Sequence, residues 1–272
     1  MTLPARSDEY VVTIARHGTR ATVRSDVYLN YHLYHQPDGP IGMDYFVWVI
    51  RNAERTIVVD TGYSKRGAAN RNREVLLEVP ELFSMLGVEP EDAPLVVISH
   101  AHYDHIGNLG HFARSRFLIS RKEYEFWTGR NAGKTLFHHS VEDEELELLR
   151  RLVDEDRVDF FEDSLELAPG VEIVEVGGHT PGQSVLIVGT DEGRVLLASD
   201  SVHYYEELEA DMPFMSVADV VGMYDAFERI RGMVASGEIA HVVSGHDPST
   251  LSRFRPASGG LAGVAATIGG AA

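Results

Sequence analysis

The chain has 272 residues, of which 44% are hydrophobic and 24% charged, and this composition belongs to globular proteins rather than disordered ones. Its 24 basic against 42 acidic residues give a formal charge of -18, a field that repels the phosphate backbone of a nucleic acid. With no cysteine, disulfides, thiolate ligands and cysteine nucleophiles are excluded, so any metal site must be built from nitrogen and oxygen ligands.

The first residues turn acidic before any apolar run, unlike a secretory signal, and no uninterrupted apolar stretch approaches eighteen residues. The expectation is a cytoplasmic protein with no membrane span. Residues 10–15, 45–50 and 56–60 read as strands, with a charged turn at 52–55. Between the first two, residues 28–43 are rich in Tyr, His, Pro and Gly, a composition that suits a shaped loop over a site. Residues 71–86 show helical spacing interrupted at Pro80. Residues 94–99 form a buried-looking strand that delivers His100 at its end.

A short strand at 117–119, a helix beginning at 121–127 and a surer helix at 142–152 follow, the last marked by Leu146, Leu149 and Leu152 among carboxylates. Residues 171–176, 184–188 and 195–199 read as strands, with a turn at 189–193. Residues 217–234 read as a helix and 241–244 as a strand ending in Gly245 and His246. The pattern predicts one layered domain over residues 1–256, in two pseudo-repeated halves at about 10–155 and 160–256. The Gly- and Ala-rich tail, 257–272, is expected to be weakly ordered unless a second subunit covers it in a homodimer.

The segment HAHYDH carries His100, His102, Asp104 and His105. In extended geometry His100 and His102 project to one side, and a turn could aim Asp104 and His105 at a second ion. Two ions demand roughly seven protein groups. Further candidates stand at three later strand ends: His179 in GGHTPGQ, Asp200 after LLAS, and His246 in SGHD. Each alone could be a turn residue or a core histidine with a hydrogen-bond partner; their convergence favours coordination.

This ordered set of four motifs, spanning residues 57–248, resembles the metallo-beta-lactamase superfamily of hydrolases. The resemblance implies an α+β fold, a four-layer αβ/βα sandwich of two facing mixed sheets with two divalent metal ions, zinc above all, at one edge. By that resemblance His100, His102 and His179 hold one ion, Asp104, His105 and His246 the other, Asp200 bridges both, and Asp60 supports the ligands from behind. Within the superfamily the chain is similar to the acyl-homoserine-lactone lactonases. They carry a tyrosine three residues after the bridging aspartate, where this chain has His203, with Tyr204 next. Asp104, His203 and Tyr204 are therefore the catalytic candidates.

The activity implied is opening of a lactone or related cyclic ester, a small-molecule carbonyl substrate, by attack of metal-bound hydroxide. Rival readings are a cyclic amide hydrolase, a glyoxalase II-like thioesterase and a non-catalytic binding protein. Tyr28, Tyr31, Tyr34, Phe46, Phe126, Trp127, Phe137 and Phe214 are candidates for an apolar pocket, which would favour an uncharged or weakly polar substrate. Residues 129–135 (GRNAGKT) resemble a phosphate loop but have one residue too few between the glycines and no preceding strand. They read instead as a basic loop in which Arg130 or Lys134 meets a substrate carboxylate.

Overall fold

A computed structural model describes residues 6–270. Two β-sheets face each other, and the alternation of side chains along their strands decides what each face meets. The first sheet contains β1 (Val11–Val23), β2 (Pro40–Arg51), β3 (Thr56–Val59), the short β4 (Glu74–Val75), β5 (Leu95–Val97), β6 (Phe117–Ser120) and β7 (Val158–Phe161). The second contains β8 (Ser164–Ala168), β9 (Val171–Glu175), β10 (Ser184–Thr190), β11 (Gly193–Ser199) and β12 (His241–Ser244). The chain then returns to the first sheet with β13 (Arg255–Pro256) and β14 (Ala265–Ile268).

The first sheet runs β13-β14-β1-β2-β3-β5-β6-β7, with β4 paired to β1; the second runs β12-β11-β10-β9-β8. Both are mixed: β3, β5, β6 and β7 are parallel neighbours, as are β11 and β12, and the remaining pairings are antiparallel. Along β2, Phe46, Trp48 and Ile50 point between the sheets, against Ile173, Leu186 and Leu197 of the other half. The intervening Val47 and Val49 point outward, under the helices that carry Leu82, Phe83 and Leu149.

Those helices are α1 (Lys65–Asn70), α2 (Val79–Met85), α3 (Tyr103–Ile106), α4 (Arg121–Thr128), α5 (Thr135–His138) and α6 (Asp143–Asp154). The second sheet's outer face packs Val185, Ile187, Leu196 and Ala198 against Ile230 of α8 (Val220–Ala235), which α7 (Tyr205–Ala210) precedes. The order is therefore helix, sheet, sheet, helix, as expected for the metallo-beta-lactamase sandwich. No helix among the described residues is long and apolar enough to cross a membrane.

Two local expectations are corrected. Residues 71–86 are helical only from Val79: β4 occupies part of the stretch before it, and of the break or restart expected at Pro80 the structure has a start, with Pro80 in the first turn of α2, where its missing N–H costs nothing. Within the tail's described residues, 257–270, a strand forms where none was expected. Ala265, Ala266, Thr267 and Ile268 pair with Ala15, Ile14, Thr13 and Val12 of β1 and are buried. Small side chains at 265 and 266 suppress a hydropathy signal without preventing pairing, because the ladder is made by the backbone.

Candidate metal centre

The strands of both sheets end at one edge, and each end supplies part of the site. Beyond β5, Ser99 and His100 lead to His102, which precedes α3; Asp104 and His105 lie within that short helix. His179 sits in the turn between β9 and β10, Asp200 directly after β11, and His246 just beyond β12. Close approach is built into these turns: a Cβ on Gly245 would stand 2.6 Å from the Ser199 carbonyl, and one on Gly178 would stand 2.7 Å from the backbone of Met223. Asp60 and Ser199, each at a strand end, hold left-handed φ values of 60° and 45°, a strained conformation of the kind found at functional sites. The Ser99 and Ser199 hydroxyls meet at 2.8 Å and tie the two sheet ends together.

Two ligand groups result: His100, His102, His179 and Asp200 in one, and Asp104, His105 and His246 in the other, each with candidate ligand atoms within 4.8 Å of one another. Asp200 faces both. Its Oδ2 lies 3.7 Å from His100 Nε2 and 3.3 Å from His179 Nε2, while Oδ1 lies 3.3 Å from His105 Nε2 and 3.1 Å from His246 Nε2. His100 Nε2, His105 Nε2, His246 Nε2 and Asp200 Oδ1 are all buried without a hydrogen-bond partner. Such atoms are costly unless something coordinates them, and two divalent cations between the groups would satisfy all four. The residues present therefore fit a dinuclear metal site.

Electrostatics point the same way. Burial, reinforced by neighbouring imidazoles, pushes His100 and His102 well below the usual histidine range, and burial takes His179 down to about 3, so all three are neutral, as ligands must be. Burial also opposes ionisation of Asp200, but the surrounding His246, His203, His105 and His100 outweigh it and hold the carboxylate ionised. At His105, Asp200, Asp60 and Asp104 overcome burial and raise the imidazole, which shows how much negative charge converges there.

The ligands are braced from behind. Asp60 accepts the Ser99 N–H at 2.8 Å, the Ser99 hydroxyl at 2.7 Å and His105 Nδ1–H at 2.7 Å. His179 Nδ1–H donates to the Ser216 carbonyl and His246 Nδ1–H to the Asp44 carbonyl, both at 2.7 Å, which turns each Nε2 toward its ligand group, that of His179 lying 2.9 Å from His102 Nδ1. Glu123, missed by sequence reasoning, is wholly buried on α4. It accepts the Ala101 N–H at 2.9 Å, Trp127 Nε1–H at 2.7 Å, the Thr180 hydroxyl at 2.6 Å and the Gly182 N–H at 3.0 Å. One carboxylate thus clamps the loop of His100 and His102 to that of His179.

His203 lies in the same wall. It is fully buried, stacks on Phe214 with ring centroids 3.8 Å apart, and places Nε2 3.1 Å from Asp200 Oδ2 and Nδ1 3.3 Å from Glu207 Oε1. Burial lowers its pKa, but the two carboxylates prevail and raise it to about 9. Tyr204 is not brought to the ligands: its hydroxyl donates to the Gly42 carbonyl at 2.9 Å, and its ring packs beside Tyr28.

A cavity of about 260 Å³ opens over His102, Asp104, His179 and Asp200, and a recess of about 90 Å³ adjoins it. Of the expected aromatic lining, Phe214 borders the cavity, and Phe126, Trp127 and Phe137 border the recess. Phe46 lies between the sheets instead, and Tyr28, Tyr31 and Tyr34 join the cluster around Tyr204. Arg130 and Lys134 are exposed in a loop that follows a helix rather than a strand, and neither borders the cavity.

The signature of the metallo-beta-lactamase superfamily matches residues 42–236. The chain belongs to that superfamily. It is 28% identical to an N-acyl homoserine lactonase of a Bacillus species over 75% of this chain and 82% of the relative. It is also 30% identical to the N-acyl homoserine lactonase AttM of Azorhizobium caulinodans, over 64% and 65% of the two chains. The crystal structure of a quorum-quenching N-acyl homoserine lactone lactonase superposes with a TM-score of 0.75 at 23% identity, covering 94% of this chain and 97% of the other, a likeness of fold.

Proposed function

We propose that this metallo-beta-lactamase-fold protein is a dinuclear zinc hydrolase that opens a lactone or a related cyclic ester. The observation that carries this reading is Asp200, whose two oxygens each face a different histidine set beneath an open cavity. The names of its similar relatives, N-acyl homoserine lactonases, support the ester class. Zinc suits an all-nitrogen-and-oxygen ligand set of this kind. Two such ions, when bound, supply Lewis acidity and a water that ionises near neutral pH.

The chain's own residues do the rest. Neutral His100, His102 and His179 on one side, and Asp104, His105 and His246 on the other, fix the ion positions. Asp104 and Asp200 present carboxylate to the cavity floor, where a proton released by water would be received. His203 stands behind Phe214 with Nε2 3.1 Å from Asp200 Oδ2, and neither of its buried ring nitrogens makes a hydrogen bond of good geometry. In this reading it keeps Asp200 oriented through charge; it does not border the cavity, so it acts on Asp200 rather than on the substrate.

The test compares zinc-loaded protein with a His102→Ala variant on N-acyl homoserine lactones, simple lactones, cyclic amides and a glutathione thioester. Lactone turnover lost in the variant is expected. Preference for the amide or thioester would replace the lactonase reading, and equal activity of both proteins would reject the site.

A further inference from the structure

The cavity over the metal centre is flanked on one side by three arginines, Arg20, Arg71 and Arg73, in a chain where acids outnumber bases 42 to 24. Arg71 is already neutralised: it pairs with Glu142 and lies over the Tyr103 ring, 3.9 Å from the centroid. The other two are not. Arg20 makes no ion pair and no side-chain hydrogen bond among the described residues, although its Nε is buried. Arg73 donates Nε–H to the Tyr103 hydroxyl at 3.0 Å and Nη1–H to the Arg71 carbonyl at 2.6 Å, and among the described residues it forms no ion pair, although the charge of Asp104 acts on it from farther off.

Their placement is also unfavourable in isolation. β1 and β4 are antiparallel, pairing Gly18 with Val75 and Thr19 with Glu74, so Arg20 and Arg73 come next along the two strands. Like charges at neighbouring cross-strand positions repel, and the buried Arg20 Nε has lost water without gaining an acceptor. An anion bound between them would relieve both costs, and two guanidiniums present the forked donors that a carboxylate accepts. The adjoining recess offers Phe126, Trp127, Leu136 and Phe137, which suit an apolar group.

We infer that the substrate is an anion: a carbonyl compound whose carboxylate is bound by Arg20 and Arg73 while its reactive carbonyl lies at the metal centre. This rests on the hydrolase reading and departs from two expectations, that of an uncharged or weakly polar substrate and that of a substrate carboxylate met by Arg130 or Lys134. Arg20 and Arg73 are specificity residues, drawn from two strands whose sequence gives no hint that they meet.

The test uses the zinc-loaded protein and a pair of γ-butyrolactones, one bearing a ring carboxylate and the other the matching carboxamide. The carboxylate is expected to be favoured at least about tenfold in kcat/KM, mainly through KM. An Arg20→Met, Arg73→Met double variant, with unaltered zinc content and circular dichroism, is expected to bring that ratio close to one. Equal turnover of the pair by the unmutated protein overturns the inference. So does a preference that survives in the double variant, because the metal centre would then be what holds the carboxylate.

If neither lactone is hydrolysed, calorimetric titration with tetrahydrofuran-2-carboxylate and its carboxamide separates the two ideas. Carboxylate binding at least about tenfold tighter, and abolished in the double variant, upholds anion recognition while the lactonase reading fails. Equal or absent binding overturns anion recognition itself.

Discussion

Asp60 Oδ2 lies 2.7 Å from His105 Nδ1, at the end of a strand where Asp60 itself adopts a left-handed φ of 60°. The hydrogen bond fixes the imidazole with its proton on Nδ1 and turns Nε2 toward Asp200, 3.3 Å away. The same carboxylate holds the Ser99 N–H and hydroxyl, so it sets both the ring and the loop that carries His100. Asp60→Asn cannot accept all three donors. Zinc affinity, measured by competition with a chromophoric chelator, should fall about 10- to 100-fold with the fold retained. Unchanged affinity would show that packing alone orients His105.

Glu123 acts on the other ligand group. Three of its four acceptor contacts join Ala101, between His100 and His102, to Thr180 and Gly182, which follow His179; the fourth holds Trp127. Glu123→Ala leaves two backbone N–H groups, the Trp127 indole N–H and a hydroxyl buried without partners, each costing about 1–3 kcal/mol. The variant should lower the unfolding midpoint and bind fewer than two zinc ions per chain, by denaturant titration and elemental analysis together. Full zinc occupancy with lowered stability would make the clamp purely structural.

The contrast between these two carboxylates explains what was legible in the sequence. The ligands are legible because coordination forces rare residue types to strand ends, beside glycines, in a fixed order, and His100 through His246 announce themselves that way. Strands such as β2 and β11 are legible from their apolar runs. Glu123 sits in a helix rich in charged residues, and only its burial separates it from a solvated acid. Arg20 and Arg73 are equally silent, since their meeting depends on β4, a two-residue strand without a pattern of its own. β14 was hidden by alanine, whose side chain adds little hydropathy to a backbone ladder.

His203 offers a separable test. His203→Phe preserves a ring to stack on Phe214 and removes the nitrogen 3.1 Å from Asp200 Oδ2. Turnover should fall about 10- to 100-fold, the range seen when a group that positions a metal ligand is lost. Zinc content should hold, because seven other side chains supply the ligands. His203→Gln, which can still donate toward Asp200, should recover part of the loss. Wild-type turnover in the Phe variant would transfer the role elsewhere, and loss of zinc would make His203 a ligand support rather than a contributor to turnover.

Glu145 provides a prediction about pH. It is buried on α6, accepts the Ser64 hydroxyl at 2.6 Å through Oε1, and leaves Oε2 without a partner. Burial, aided by Glu142 and opposed by the Ser64 hydrogen bond, raises its pKa from 4.5 to about 7. The folded state therefore holds this proton more tightly than the unfolded chain. The contribution to stability is fully present below about pH 4.5 and is lost as pH rises through about 7. Glu145→Gln keeps an oxygen for Ser64 and cannot ionise, so it should stabilise the protein by about 1–3 kcal/mol at pH 8.5 and much less at pH 5. Thermal melts of both proteins across that interval test this directly, and parallel curves would mean that Glu145 gains enough solvent or a cationic partner to ionise freely in the folded state.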